Sequence, residues 1–265
     1  CQSCWIICSW ERGDEMGFLH FDFMSEKLRY HTNLYLILPE ETRRGQEPEA
    51  TLYLLHGGGG NGMDWLRYTS IERFAQERRI AVVMPEVDGT CFYADMKYGY
   101  PYFTFLTKEI PALTETLFPV NRKRRQRYVA GLSMGGYGAW KWAFHEPQFF
   151  GAAANLSGIS FITEIFKEGG FAQQEREGEN GLVAQNWGSL EELQGSESDS
   201  AKWLEWASER KVELPALYAG IGTEDFSYPD ACKYLEACGK IGLKVEQRMV
   251  PGRHEWSVWD KLIAD

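Results

Sequence analysis

Short apolar runs separated by helical segments constrain this chain more than any other feature. Thr51–Leu55 is apolar nearly throughout, Ile80–Pro85 reads as a second buried strand, and a third apolar strand runs up to Leu132. The pattern resumes at Gly151–Leu156, Leu214–Ile221 and Lys244–Val250. Strands without a polar face suit a sheet covered on both sides. Between them the sequence predicts helices over Ser70–Arg78, over Tyr102–Phe118 despite Pro111, from the serine at 133 to His145, and from about Glu255 onward. Strands alternating with helices give a mostly parallel central sheet with helices on both faces, an α/β fold. Two further strands, Gly17–Phe23 and Thr32–Leu38, precede this core and read as antiparallel edge strands.

A length of 265 residues fits one large domain. Residues 1–15 read as a leader outside the fold, leaving a single domain over 16–265. About 160–212 differs in composition: "EREGEN" and "QGSESDS" are polar and turn-rich, yet Phe161, Phe166, Phe171, Trp187, Trp203 and Trp206 lie in the same stretch. It reads as an inserted cover segment carrying some helix. No apolar run is long enough to span a bilayer. The formal charge of -10 argues against nucleic acid or an anionic membrane as partner. Six cysteines are too few for a disulfide scaffold in a chain of this length, which points to a reduced, cytoplasmic setting. "CQSCWIIC" has no second cysteine pair and no nearby histidine at ligand spacing, so it is not read as a metal site.

"RYVAGLSMGGYGAWKW", Arg127 to Trp142, sets Ser133 between Gly131 and Gly135, after a strand and before a helix. Helices rarely open on glycines, so local stability did not select this stretch. The G-x-S-x-G pattern on a strand–turn–helix lifts a nucleophilic serine above the sheet on a turn too tight for bulky neighbours. The backbone N–H of Met134, at the start of the helix, aims at the same point and suits an oxyanion. A serine nucleophile needs a base. Of His20, His31, His56, His145 and His254, only His254 follows the last strand and precedes the last helix, at the carboxyl edge of the sheet. Asp225 in "GTEDF" completes the order Ser…Asp…His, with Glu224 as its rival. In "LLHGGGGNGMDW" a backbone amide supplies a second oxyanion donor, Gly58 first and Gly59 next. A nucleotide-binding loop is disfavoured there, because no Gly-Lys-Ser/Thr follows.

These motifs, with "PGRHEWSVWD", resemble the esterase D-like branch of the α/β-hydrolases. That branch holds S-formylglutathione hydrolases, tributyrin esterases, feruloyl and acetyl-xylan esterases, and the antigen 85 mycolyltransferases. The likeness runs from about Met16 to the end and is nearest to the small intracellular tributyrin esterases. It implies an α/β-hydrolase fold, a Ser133–His254–Asp225 triad, and oxyanion donors at the backbone of Gly58 and Met134. A hormone-sensitive-lipase relationship is set aside on Leu132 and Met134, which flank the serine. The implied activity is hydrolysis of short-chain acyl esters through an acyl-enzyme. The small-molecule ester would be the only partner needed, without cofactor or metal, and homo-oligomerisation stays open. Carbohydrate or feruloyl esterase, S-formylglutathione thioesterase and acyltransferase activity are alternatives on the same residues, and a non-catalytic binding module is disfavoured by the intact set. Gly59, Trp65 and Trp187 are candidates for the substrate pocket. The tryptophans, like the other aromatics of the insertion, either stack on a sugar or aryl alcohol or pack the core.

Overall fold

The computed structural model describes residues 17–158, 160–168, 181–209 and 212–265. Its centre is one eight-stranded sheet: β1 (Gly17–Met24), β2 (His31–Leu38), β3 (Ala50–Leu55), β4 (Ile80–Pro85), β5 (Arg127–Leu132), β6 (Ala152–Leu156), β7 (Ala216–Gly222) and β8 (Val245–Val250), in the spatial order β1-β2-β4-β3-β5-β6-β7-β8. The pairs from β4 to β8 are parallel, whereas β1–β2 and β2–β4 are antiparallel. Only β1 is an edge at that end. The expectation that β2 is also an edge is corrected: Leu34–Ile37 pairs with β4, which accounts for the burial of both its faces.

Alternation along the strands divides the interior into two cores. Tyr53, Leu55 and Val129 belong to one, with Tyr137 and Trp142 of α5 (Met134–His145). Leu54, Ala130 and Leu132 belong to the other, with Ile71 and Ala75 of α2 (Ile71–Arg78) and Val258, Trp259 and Leu262 of α11 (Trp256–Ile263). Such two-sided cover demands the uninterrupted apolar strands seen in the sequence. The molecule is an α/β-hydrolase in architecture.

The remaining helices are α1 (Asp64–Tyr68), α3 (Tyr102–Thr104), α4 (Ile110–Leu117), α6 (Ile162–Glu168), α7 (Leu182–Trp187), α8 (Leu190–Leu193), α9 (Ser200–Glu209) and α10 (Tyr228–Lys240). A single π turn, Phe105–Glu109, joins α3 to α4 and ends just before Pro111. Proline cannot tolerate a tight carbonyl four residues back, and a wider turn relieves that contact. The predicted helix over Tyr102–Phe118 therefore survives its proline.

Helices α6 to α9 fill the stretch between β6 and β7. Trp203 on α9 is fully buried, 5.1 Å from Tyr137 and 5.8 Å from Phe144 of α5. The Tyr137 hydroxyl donates to Ser198 O at 2.6 Å. The insertion thus forms part of the core. Phe171 and residues 1–16, with the cysteines at 1, 4 and 8, lie outside the described residues. Among the described residues no helix is long and apolar enough to cross a membrane, and no group of three or more His, Cys, Asp or Glu side chains is placed to hold a metal ion.

Candidate active site

Everything at the site converges on the carboxyl ends of β3, β5, β7 and β8. Ser133 sits between β5 and α5 with φ 51° and ψ -120°, a conformation that side chains other than glycine rarely adopt. Its N–H donates to Leu156 O at 2.8 Å, which locks the turn to β6. The flanking glycines answer a steric need. A Cβ on Gly131 would run into the Gly135 carbonyl, and one on Gly135 into the carbonyl oxygens of Leu55 and His56. Helix α5 thus starts almost in contact with the sheet, and only glycine allows that approach.

His254 follows β8 in a loop folded back on the end of β7. Glu224 N donates to Gly252 O at 3.0 Å, Thr223 N to Val250 O at 2.9 Å, and the Glu224 carboxylate accepts from Gly252 N. The exposed Glu224 therefore braces this loop, and its neighbour Asp225 reaches the imidazole. His254 Nδ1 lies 2.8 Å from Asp225 Oδ2, and Nε2 lies 2.9 Å from Ser133 Oγ. The carboxylate accepts only, so Nδ1 carries the proton and Nε2 is free to accept from the serine hydroxyl. Asp225 is buried, and its Oδ1 accepts from Ser227 N at 2.9 Å and Ser227 Oγ at 2.8 Å. Burial pushes its pKa up, but the bonds from His254 and Ser227 outweigh that and hold the carboxyl below its ordinary value. Asp225 is thus kept anionic where it faces the ring.

Gly58 and Met134 are neighbours: a Cβ on Gly58 would stand 3.9 Å from Met134 Cβ. Neither backbone N–H has a partner among the described residues, and Met134, as the first residue of α5, has no intrahelical acceptor. Gly59 is different. Its N–H donates to Gly89 O at 2.8 Å, so Gly59 lines the cleft but offers no free donor. His56 holds the loop from beneath. It is fully buried, Nδ1–H donates to Gly57 O at 2.9 Å, and Nε2 accepts from Val87 N at 3.3 Å. Burial lowers its pKa and keeps it neutral, in keeping with a structural role.

A cleft of ≈ 440 Å³ opens over Ser133 and His254, bounded by the Gly57–Gly60 loop, Tyr68 and Trp256. Two pocket candidates are corrected. Trp65 is completely buried and its indole donates to Leu55 O at 3.0 Å, so it packs beneath the cleft. Trp187 is buried against Phe92 and Phe166 at 5.7 Å and lines a different depression, beside Lys141 and His145. The aromatic rings at the cleft are instead Tyr68, stacked on Trp256 at 5.0 Å, and Trp259. Trp256 and Trp259 were visible in "HEWSVW", one helical turn apart after the histidine. Tyr68 carried no comparable signal.

An elbow serine bonded to a histidine at the carboxyl edge of such a sheet defines a serine hydrolase of the α/β class. The Esterase family model matches residues 25–265, and the chain belongs to that family. An acetyl esterase of Caldicellulosiruptor saccharolyticus is 30% identical over 264 aligned positions, covering 94% of this chain and 96% of the relative. The fluorophosphonate-binding serine hydrolase F of Staphylococcus aureus, solved with substrate bound, superposes with a TM-score of 0.84 at 30% identity, over 94% of this chain and 96% of that one. An S-formylglutathione hydrolase from the same organism superposes at 0.83, with the same identity and coverage. The protein is a serine esterase that acts on carboxylic ester bonds.

Proposed function

We propose that Ser133, His254 and Asp225 form the catalytic triad of a carboxylesterase for short-chain acyl esters, working through an acyl-enzyme. The observation that carries this reading is the single imidazole bonded at once to Ser133 Oγ and Asp225 Oδ2, at 2.9 and 2.8 Å. His254 Nε2 takes the hydroxyl proton as Oγ attacks the ester carbonyl. The backbone N–H groups of Gly58 and Met134 receive the oxyanion, each contributing about 3 kcal/mol to the barrier reduction in chemistry of this type. His254 returns the proton to the departing alcohol, and water, activated by the same nitrogen, then releases the acid. Asp225 stays ionised, holds the ring's tautomer and stabilises the imidazolium. Short acyl chains are supported by the likeness to the acetyl esterase relative.

Ser133→Ala tests the reading. It is expected to abolish hydrolysis of an aryl butyrate and covalent labelling by a fluorophosphonate, with the fold retained. Activity within tenfold of the parent would discard the assignment. Thioester hydrolysis is the second reading, favoured by the likeness to an S-formylglutathione hydrolase. Comparing kcat/KM for S-formylglutathione with that for an aryl acetate separates the two. A cytoplasmic location is supported by the free thiols of Cys91, Cys232 and Cys238 and is tested by cell fractionation.

A further inference from the structure

Two aromatic rings pack on the His254 imidazole. Phe226 lies 4.7 Å away between centroids, tilted at 46°, and Trp259 lies 4.9 Å away, nearly perpendicular at 88°. Phe226 is 63% exposed although both of its neighbours, Asp225 and Ser227, are buried. Bonds from the N–H and hydroxyl of Ser227 to Asp225 pin the backbone on either side, so the intervening ring is presented at the surface beside the imidazole. A phenyl ring left largely in water contributes little to folding through burial. Trp259 is its buried counterpart on α11. It packs at right angles on Trp256 at 5.2 Å, and Trp256 in turn packs on Trp65 at 5.5 Å, so its position is backed by the core.

The hydrogen bonds at Nδ1 and Nε2 fix the direction of the imidazole but not its roll about the line joining the two nitrogens. Rolling swings the Nδ1–H bond and the Nε2 lone pair out of line and weakens both bonds. Rings packed on the imidazole block that roll. They also stand close enough, at 4.7 and 4.9 Å, to favour the imidazolium formed during reaction.

We propose that Phe226 and Trp259 are positioning residues for the esterase reaction, holding the His254 ring at the roll angle at which Nε2 meets Ser133 Oγ. The proposal rests on His254 acting as the base. It assigns Phe226 a role in turnover, not in substrate binding.

The test is Phe226→Ala, whose exposed site leaves the fold unchanged, measured with aryl acetate and aryl butyrate. The expected result is a fall in kcat of about tenfold, equal for the two esters, with KM within twofold and an unaltered urea midpoint. Fluorophosphonate labelling of Ser133 should slow by the same factor, and Phe226→Tyr should restore both rates. The low-field proton resonance of the Asp225–His254 bond should broaden in Phe226→Ala and sharpen again in Phe226→Tyr. Trp259→Phe should keep most of the rate and Trp259→Leu should lose it per folded molecule. A kcat within twofold of the parent in Phe226→Ala overturns the proposal. So does a change confined to KM or to the acetyl/butyryl preference, which would make Phe226 a wall of the substrate site. His254→Ala separates the two levels. If it keeps activity, the base assignment fails; if it is inert while Phe226→Ala is fully active, only the positioning role fails.

Discussion

Replacing Lys141 by methionine should change how stability depends on pH. Lys141 lies on α5 with 2% of its surface exposed. Its ammonium donates to Tyr93 O and Ser198 Oγ, both at 3.0 Å, and lies 4.5 Å from the Phe103 ring centroid. Among the described residues no carboxylate oxygen comes within ion-pair distance of it. Burial drives its pKa from 10.5 down to about 8, against weaker upward pulls from Asp95 and Glu197. In the unfolded chain the lysine keeps its ordinary value. Between pH 8 and 10.5 the unfolded state therefore binds more protons, and stability rises with pH. Below pH 8 the full cost of the buried charge is present, and the drop from 10.5 to about 8 makes that ~3 kcal/mol.

The assay is urea unfolding of the parent and Lys141→Met at pH 7, 8.5 and 10.5. The stability of the parent relative to the variant should climb by ~3 kcal/mol across this range, at equal m-values. Other groups act with the opposite sign. Burial raises the pKa of Tyr93, Tyr137 and Tyr234, and that of Cys91 to about 12, so the folded state keeps protons that the unfolded state loses at high pH. Both proteins share these groups, so their burial contributions cancel in the difference, leaving the mutual influence of Lys141 and Cys91 as the smaller remainder. A difference between parent and variant constant to within about 1 kcal/mol would refute the account of Lys141 as an uncompensated buried charge.

Gly135→Ala drives a methyl group into the carbonyls of Leu55 and His56, and backbone cannot yield as a side chain does. It should cost about 1–3 kcal/mol or more and lower kcat/KM at least tenfold by shifting Met134. Parental Tm and activity would contradict this close-approach argument. Trp65→Phe leaves the Leu55 carbonyl without its donor, so stability should fall by about 1–3 kcal/mol while KM for aryl esters stays within twofold. A tenfold rise in KM would return Trp65 to the substrate pocket. In the pH–rate profile, kcat/KM should show no inflection in the ordinary carboxylate range, because the bonds from His254 and Ser227 hold Asp225 below that range and keep it anionic there. An inflection in that range in the folded enzyme would contradict this account of Asp225.

Much of the molecule is written in local pattern. Apolar runs at 51–55, 80–85 and 127–132 needed no tertiary information to be read as strands, because a sheet covered on both faces excludes polar side chains from either side. The glycines at 131 and 135 likewise declared a close approach, since no helix preference explains them. Ser133 and His254 followed from position relative to those elements.

Other features depended on contacts between distant segments. Asp225 and Glu224 are adjacent carboxylates with the same local surroundings, and only the fold of the β7 and β8 loops turns one toward the ring and the other toward Gly252 N. Strand β2 became interior through pairing with β4, some fifty residues away along the chain. Trp65 and Trp187 look, in sequence, like any aromatic beside a glycine-rich loop or in a polar insertion. Their burial was decided by which helices cover them. The amino-acid order thus determined what each segment prefers and which residues can do chemistry, because those depend on spacing over a few residues. Which side chains meet, and which are sealed from substrate, was decided by the packing of segments far apart in the chain, which no local periodicity encodes.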